Sequence, residues 1–300
     1  MRPLLPLLPL LLLAEPAAAV WPQPVSTELG DGARRQLVGD NFTCTASGDI
    51  LTAACTRYEG YLRSRSFPVH SRLGVSATGT PLTQLIVTAA DTTSEFTLRT
   101  NESYTLTVPE AGAAQLHAPH AIGALRGLET FFQLLEPSSP AIFTVPTPTR
   151  VRDAPRWPHR GLLLDTVTQR HSHPLFLAPK TAAAKQIVPM QGRHYCPVAF
   201  IKHIIEGMSM DKLSVLHWHI TEILSFPLVV ESVPQLADIA AFSPAAVYTH
   251  ADVAEVIAHA RLHGVRVLPE LDMPGHMTAW GTALPELGIT MDCGTQHHIA

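Results

Sequence analysis

The sequence predicts an α/β fold for the second half of this 300-residue chain and a smaller α+β domain for the first half. From about residue 156 onward, short apolar runs alternate with amphipathic helical segments, which is the order of a parallel sheet covered by helices. Each apolar run ends in ionisable residues. Before residue 156, alternating β-branched runs mix with helical periodicity in no such order.

Composition excludes several functional classes. Apolar residues make up 46% of the chain and charged residues only 15%, so the sequence can bury a sizeable core and is not a charge-rich disordered chain. The 21 basic and 25 acidic residues give a formal net charge of −4. Because the basic residues form no long run, we expect no nucleic-acid partner.

Residues 1–19 have the layout of a secretory signal peptide. Arg2 precedes an apolar stretch at 4–13, and small residues follow at 17–19. The apolar stretch is too short to span a bilayer, and two prolines interrupt it. We therefore expect a chain of the secretory pathway, extracellular or in a lysosome or vacuole, without a membrane anchor.

Two further features agree with that compartment. The only two asparagines, Asn41 and Asn101, both lie in N-glycosylation sequons. The four cysteines are too few for a disulfide framework and match no zinc-binding spacing. Cys44 and Cys55 enclose a short loop and are predicted to form one disulfide in an oxidising lumen.

The first domain is predicted to cover residues 20–155. Strands are expected at 84–88 and 104–108, and apolar residues at three- and four-residue steps predict a helix over 119–135 with Pro119 in its first turn. The Pro-rich stretch at 137–158 shows no periodic face and is interpreted as a linker or a domain boundary. We expect this domain to serve packing and to have no chemistry of its own.

The second domain, residues 156–300, contains three predicted strands. They cover 161–164, 213–216 and 265–268, and each is followed at once by Asp165, by a His-Trp-His triplet, or by Glu270 and Asp272. In a (β/α)8 barrel the carboxyl ends of the strands form the active-site face. A doubly wound sheet has the same alternation, but no Gly-rich phosphate loop follows any of these strands.

Helix signals separate the predicted strands. Apolar residues from Val198 to Met208 mark one face of a first helix. Thr249 is the expected N-cap of a second, with Asp252 three residues later, and Gly264 lies where a left-handed C-terminal residue is favoured. The apolar stripe of this second helix is expected to contain Val253, Val256, Ile257 and Ala260.

The sequence motifs at the strand positions resemble those of a known family. HRGLLLDT at 159–166, KLSVLHWHI at 212–220 and PELDMPGH at 269–276 are similar, in order, to the first three strands of the catalytic domain in family 20 glycoside hydrolases, the β-N-acetylhexosaminidases. VWPQP at 20–24 and GALRGLETF at 123–131 resemble the N-terminal domain of the eukaryotic members. Each motif alone is weak, whereas the ordered set is highly specific.

The resemblance implies an activity and a set of residues. These enzymes remove terminal non-reducing N-acetylhexosamine from glycans with no cofactor or metal, and the substrate's own acetamido oxygen attacks the anomeric carbon. Arg160 matches the arginine that holds sugar hydroxyls, and His276 matches the histidine after the third strand. Glu222 stands where the family has the first Asp of Val-Asp-Asp-Gln, and Ile223 replaces the second. The family is often dimeric, which makes a homodimer the expectation for the complete protein.

The departures from the family concern catalysis. The family's catalytic Asp-Glu pair follows the fourth strand in a Gly-Gly-Asp-Glu motif, and this sequence does not contain that motif. From His159 to Ala300 there are 142 residues, whereas a complete barrel takes about 250. We therefore expect an incomplete (β/α)8 TIM barrel of about three of eight units, no catalytic residue before Ala300, and an inactive 300-residue form. Glu270 and Asp272 are not substitutes, because their motif belongs to the third strand.

An insertion interrupts the family pattern after Thr166. The insertion covers residues 167–191, which number 25. Without it, Thr166 would be followed directly by Gly192, as in the family's Asp-Thr-Gly-Arg-His-Tyr motif. A retained in-frame intron and a genuine surface loop are both open explanations.

Two other functions are compatible with parts of the sequence. The first is a non-catalytic glycan-binding fragment. The second is a metal-dependent amidohydrolase, because His217 and His219 lie two residues apart on a strand and face one side, as zinc ligands at a barrel mouth do. Packed or substrate-facing histidines explain the same pair, and the surrounding family text favours that explanation.

Overall fold

The computed structural model describes residues 20–30, 32–64, 77–92, 96–139, 141–167 and 195–288. The predicted signal peptide, the insertion beyond Val167, and residues 192–194 lie outside the described residues.

The described segments contain twelve strands, six helices and two short 3-10 helices. The strands are β1 (Ser26–Leu29), β2 (Arg34–Val38), β3 (Thr43–Thr45), β4 (Gln84–Asp91), β5 (Tyr104–Val108), β6 (Ala114–His120), β7 (Glu136–Ser139), β8 (Ile142–Pro146), β9 (Thr149–Asp153), β10 (Gly161–Asp165), β11 (Val215–His219) and β12 (Arg266–Glu270). The helices are α1 (Asp49–Arg63), α2 (Ala121–Gln133), α3 (Val198–Met210), α4 (Gln235–Ala240), α5 (His250–Leu262) and α6 (Thr278–Ala283), and the 3-10 helices are Gly39–Asn41 and Pro285–Leu287. In these segments no helix has both the length and the apolar character needed to cross a bilayer.

The first half forms a six-stranded mixed sheet, ordered β1-β9-β5-β6-β4-β3, and a three-stranded antiparallel sheet, ordered β2-β8-β7. Helix α2 is buried from Ala121 to Phe132, because its apolar residues continue around the helix and Gly123 and Gly127 allow close approach of its neighbours. Phe131 stacks on Phe42 with ring centroids 5.8 Å apart. Burial of each such side chain contributes roughly 1.5–3 kcal/mol, so this helix is the centre of the first core.

Two predictions for the first half are wrong: the start of the helix at Pro119 and the absence of regular structure in the Pro-rich stretch. Pro119 is not in the helix but in β6, and His120 caps α2 by accepting a hydrogen bond from the amide of Ile122 at 3.1 Å. The Pro-rich stretch is not a linker, because it contains β8, β9 and part of β7. Strand β7 pairs with its neighbour β8, but β8 also pairs with β2, and β9 pairs with β1 and β5. These last three partners are more than 40 residues away, so no local signal reveals them.

The second half contains a parallel sheet in the order β10-β11-β12, as the alternation predicts. Helices α3 and α5 pack together on this sheet, with Ile201, Ile205 and Trp218 fully buried between the layers. The second strand begins at Val215 and includes His217 and His219, so these residues belong to the strand itself and do not follow it.

The helix signals around α5 are largely confirmed. Thr249 and Asp252 form a reciprocal capping box, and Gly264 has φ of 67° just after the C-cap residue. A Cβ atom at Gly264 would also approach Leu125 to 3.0 Å, so this position favours glycine on two grounds. The predicted apolar stripe is wrong at Ile257, which is 47% exposed.

The two halves are joined by buried charges. Glu102, just before β5, accepts hydrogen bonds from Arg126 Nε (2.8 Å) and from Arg160 Nη2 (2.7 Å) and Nη1 (3.1 Å). Arg126 also donates to the carbonyl of Gly264 at 2.6 Å. On the surface, Arg261 of α5 pairs with Asp49 of α1 at 2.7 Å. The first half therefore docks on the amino-terminal side of the parallel sheet through specific polar contacts.

Candidate active site

A network of histidines and carboxylates lies at the carboxyl ends of β11 and β12. The strand β11 supplies His217 and His219, and the loop after it supplies Glu222. The strand β12 ends at Glu270, and the following loop contributes Asp272 and His276. The side chains meet because parallel strands present their carboxyl ends at one edge of the sheet. This edge is where the sequence places the active-site face.

Glu222 is the centre of the network. Its side chain is buried, and its Oε1 accepts a hydrogen bond from the amide of Ile223 at 2.7 Å. The same oxygen contacts Nδ1 of His276, and Oε2 lies 3.1 Å from Nε2 of His219. The carboxylate predicted at this position is therefore held in one orientation by three neighbours, although its side chain is one methylene longer than the family's Asp.

Glu270 connects the two histidines of β11. Its Oε2 contacts Nε2 of His217 and lies 3.2 Å from Nδ1 of His219. His219 thus bridges Glu270 and Glu222 through its two ring nitrogens. Both histidines do face one side of the strand, but they contact a carboxylate there.

His276 lies on the loop between β12 and α6 in a left-handed backbone conformation, with φ of 57°. Such a conformation is uncommon for a residue with a Cβ atom, and it persists where the surroundings enforce it. The loop is held by the amide of Asp272, which donates to Thr221 Oγ1 at 3.1 Å. The His276 side chain is about half exposed (53%), so its ring joins the buried carboxylate to the open surface.

The contacts shift the proton affinities in the network. Burial acts to lower the pKa of His219, but hydrogen bonds to Glu222 and Glu270 outweigh burial and raise this pKa above its ordinary value. The hydrogen bond to Glu222 also raises the pKa of His276. Burial acts to raise the pKa of Glu270, yet its bonds to His217 and His219 outweigh that effect and lower it. His219 and His276 are therefore biased towards the protonated form and Glu270 towards the ionised form.

Arg160, which the family resemblance assigns to the sugar hydroxyls, does not contact this network, and its contact with a sugar stays a prediction. It precedes β10, so it lies at the amino ends of the strands, about 16 Å from the carboxyl ends across five residues. Its guanidinium bonds Glu102, the carbonyl of Trp157 (2.7 Å) and that of Lys212 (2.9 Å). It lines a cavity of about 390 Å³ at the domain junction.

The other predicted site residues lie in the first half. Asn41 and Asn101 are both exposed, which leaves each sequon accessible. The side chain of Asn101 accepts a hydrogen bond from the amide of Ser103 at 3.0 Å. A disulfide joins Cys44 in β3 to Cys55 in α1, with a Cα–Cα distance of 5.2 Å.

Two overlapping sets in the network have metal-ligating atoms within 4.8 Å of one another, and both include Asp272. One set adds His219 and Glu270, and the other adds Glu222 and His276. In each set a carboxylate is already engaged with a ring nitrogen, so the charges are balanced within the protein. His219 and Glu270 are not among the sugar-binding residues predicted from the family motifs, although their places at the ends of two parallel strands were an available signal.

Two family models match the chain in sequence order. The model of the family 20 glycosyl hydrolase catalytic domain matches residues 190–299, and the model described as "beta-acetyl hexosaminidase like" matches residues 20–134. The chain belongs to glycoside hydrolase family 20. The resemblance found in the sequence motifs is confirmed.

Curated relatives support the same family. The chain is 34% identical to Beta-hexosaminidase 3 of Arabidopsis thaliana over 287 residues, covering 91% of this chain and 48% of the relative. It is 35% identical to Beta-hexosaminidase subunit beta of Homo sapiens over 285 residues, covering 91% and 46%. The chain thus spans about half the length of these family members.

Solved structures of the family share the fold. A Flavobacterium johnsoniae chitobiase aligns with a TM-score of 0.67 and 27% identity, covering 89% of this chain and 36% of the other. A Streptomyces plicatus β-hexosaminidase aligns with a TM-score of 0.64 and 24% identity, covering 92% and 49%. The second half therefore has the TIM-barrel type of α/β fold, preceded by an N-terminal domain.

Proposed function

We propose that this chain carries part of the sugar-binding site of a β-N-acetylhexosaminidase, an enzyme that hydrolyses terminal non-reducing N-acetylhexosamine residues of glycans. The observation that carries the proposal is the buried Glu222 carboxylate, bonded to His219 and His276 at the carboxyl ends of the strands. Family membership and relatives named as hexosaminidases support it. In this proposal β10, β11 and β12 are about three of the eight units of a barrel.

The network suits recognition of a neutral, hydroxyl-rich ligand. His276 presents a half-exposed ring whose Nδ1 is engaged with Glu222, which fixes the direction of the remaining ring edge towards the surface. Glu222 is itself held by the amide of Ile223, so the histidine needs little reorganisation to bond a sugar hydroxyl. In this proposal these residues bind and orient the sugar.

Hydrolysis needs an acid that the network does not supply. Substrate-assisted cleavage uses a carboxylic acid to protonate the leaving oxygen, next to a carboxylate that stabilises the acetamido group. The 300 residues contain no adjacent Asp-Glu pair. The carboxylate of Glu270 has a lowered pKa because two histidines bond to it, which is the opposite of what a general acid requires. We propose that the 300-residue form binds N-acetylhexosamines and does not hydrolyse them.

The test combines binding and turnover on the purified chain. N-acetylglucosamine is titrated by calorimetry into the native chain, Glu222→Gln and the matched control Glu231→Gln, whose side chain is 81% exposed. We expect the first variant to weaken binding about tenfold or more and the control to leave it unchanged. Equal binding by all three, or none by the native chain, would overturn the assignment of the site.

The same preparations are incubated with an aryl N-acetylglucosaminide. We expect no release of the aryl group above the buffer rate. Release that Glu222→Gln abolishes would show that the missing acid is dispensable, and it would contradict the proposal that this form only binds.

The cellular compartment and the binding partners of this protein are part of the proposal. We propose a protein of the secretory pathway, located outside the cell or in a lysosome or vacuole, carrying N-glycans at Asn41 and Asn101. Its partners are glycans with N-acetylhexosamine at the non-reducing end, and the complete protein is a homodimer. The signal-peptide layout, the exposure of both asparagines and the Cys44–Cys55 disulfide support the compartment.

A further inference from the structure

A second group of metal-ligating side chains lies on the outer helices, away from the strand ends. His259 is in the last turn of α5, and His263 is its C-cap residue, one helical turn further on. Glu206 reaches them from the neighbouring helix α3. The ligand atoms of the three residues all lie within 4.8 Å of one another, and Oε1 of Glu206 is 3.5 Å from Nε2 of His259.

Both histidines have a buried ring nitrogen without a hydrogen-bond partner in the described part of the chain. His263 is only 5% exposed, and its Nδ1 lies 2.8 Å from the carbonyl oxygen of His259. A carbonyl oxygen only accepts, so Nδ1 carries the proton and Nε2 carries the free lone pair. His259 likewise leaves Nε2 without a hydrogen bond, and that atom faces Glu206. Buried polar atoms in native proteins nearly always have a hydrogen-bond partner or a metal ion bound to them. We therefore expect these two nitrogens to have a partner that the described residues do not supply.

The hydrogen bonding of His263 resembles that of a metal ligand. A histidine that binds a metal usually donates its other N–H to a carbonyl or carboxylate, as His263 does. Its Nε2 is therefore oriented with its lone pair towards the other two ligand atoms, which lie within 4.8 Å.

The donor types and the nearby charges restrict which ion fits. Arg57 and Lys202 are both cationic, although Lys202 is paired with Glu255 at 2.8 Å. Two imidazole nitrogens and one carboxylate suit zinc and similar transition metals, whereas magnesium and calcium require mostly oxygen ligands. With only one carboxylate in the set and two cations near the histidines, a hard ion held mainly by charge is disfavoured.

We propose that Glu206, His259 and His263 form a binding site for Zn²⁺ or a chemically similar transition-metal ion. A fourth position is open to water or to His203, whose Nδ1 lies 3.5 Å from the other oxygen of Glu206. The ion joins α3 to α5 beside Arg57 of α1, which donates to the carbonyl of Leu262 at 3.4 Å. Its role is structural, because it fastens two barrel helices next to the contact with the first domain.

The test is metal binding by the complete chain after treatment with a chelator. Zn²⁺ is titrated by calorimetry at pH 7.5, and Co²⁺ is titrated by absorption spectroscopy to detect nitrogen ligands. The variants are Glu206→Gln and His259→Gln, and the matched control is His250→Gln, at the other end of the same helix and 59% exposed. Glu206 is partly exposed, so its replacement should leave the fold intact even if His259→Gln does not.

We expect one equivalent of Zn²⁺ to bind the native chain and the control alike, and both ligand variants to lose about tenfold or more in affinity. Zn²⁺ should also raise the melting temperature of the native chain more than that of Glu206→Gln. Unchanged stoichiometry and affinity in Glu206→Gln would overturn the proposal, since the ion would then be held elsewhere, for example by the carboxylates at the strand ends. Absence of binding by the native chain would overturn it equally.

Discussion

The buried carboxylate of Glu102 offers a stringent test of how the two halves are joined. Replacement by alanine removes the acceptor of three charge-assisted hydrogen bonds, one from Arg126 and two from Arg160. The side chains of Glu102 and Arg126 are each only 3% exposed, and that of Arg160 is 14% exposed. Water therefore has little access to the guanidinium groups that lose their partner.

The magnitude follows from leaving a buried charge uncompensated. Breaking a buried ion pair by removing one partner costs about 3–5 kcal/mol, whereas exposed pairs contribute about 0–1 kcal/mol. Arg126 keeps its bond to the carbonyl of Gly264, and Arg160 keeps those to two carbonyls, so the loss should not exceed this range. Since a domain is stable by about 5–15 kcal/mol, the variant should remain folded but measurably weaker.

The assay is urea unfolding followed by circular dichroism. Glu102→Ala should lose about 3–5 kcal/mol, and Glu102→Gln, which retains an acceptor oxygen of the same shape, should lose roughly half of that. The matched control is Glu110→Gln at an exposed position of the same domain, with an expected change within about 0.5 kcal/mol. A loss below about 1 kcal/mol in Glu102→Ala would refute the argument that these charges hold the halves together.

The same residue predicts a pH dependence. Burial acts to raise the pKa of Glu102, but Arg126 and Arg160 outweigh it and lower the pKa below its ordinary value of 4.5. Because the folded-state pKa is depressed, the stabilisation is present above pH 4.5 and is lost as the pH falls through the folded value. The difference in unfolding free energy between the native chain and Glu102→Gln should narrow below pH 4.5, and a constant difference would contradict the cause given for the shift.

Three further predictions concern separate parts of the chain. Cys44→Ser should cost about 3 kcal/mol in unfolding free energy, because the bond to Cys55 closes a loop of about 12 residues, and an unchanged urea midpoint would contradict this. Glu222→Gln should lower the raised pKa of His219, as measured by NMR titration. The stabilisation that this pKa shift gives the folded state is fully present below pH 6.5, and it is lost as the pH rises through the pKa of His219 in the folded chain. Secretion from a eukaryotic host should add glycans at the two exposed sequon asparagines, so enzymatic deglycosylation should reduce the mass, and an unchanged mass would argue against sequon use.

Local signals predicted those elements whose partners lie close in sequence. The capping box of Thr249 and Asp252 and the left-handed Gly264 involve residues within a few positions of one another, so the bounds of α5 follow from the sequence. The run Tyr104–Val108 is a strand as predicted, because its alternation is the same whichever neighbour it pairs with. Such features are encoded by periodicity and capping chemistry alone.

The candidate site was predictable only in part. Glu222 and His276 were expected from the family motifs, and the structure brings them into contact although 54 residues separate them. Arg160 was expected with them, but its position before β10 places it at the opposite end of the sheet. A motif shows that a residue belongs to a family pattern, whereas the direction of the strand decides at which end of the sheet that residue lies.

The sequence by itself determined the family, the alternation that yields a parallel sheet, and the polar residues at its carboxyl edge. Only the tertiary structure decided that the Pro-rich stretch forms strands, that Glu102 neutralises two arginines, and that Glu206 meets two histidines of another helix. The physical reason is common to all three. A strand, a buried charge and a ligand set each depend on partners supplied by distant segments, and no local periodicity or composition records which segments will meet.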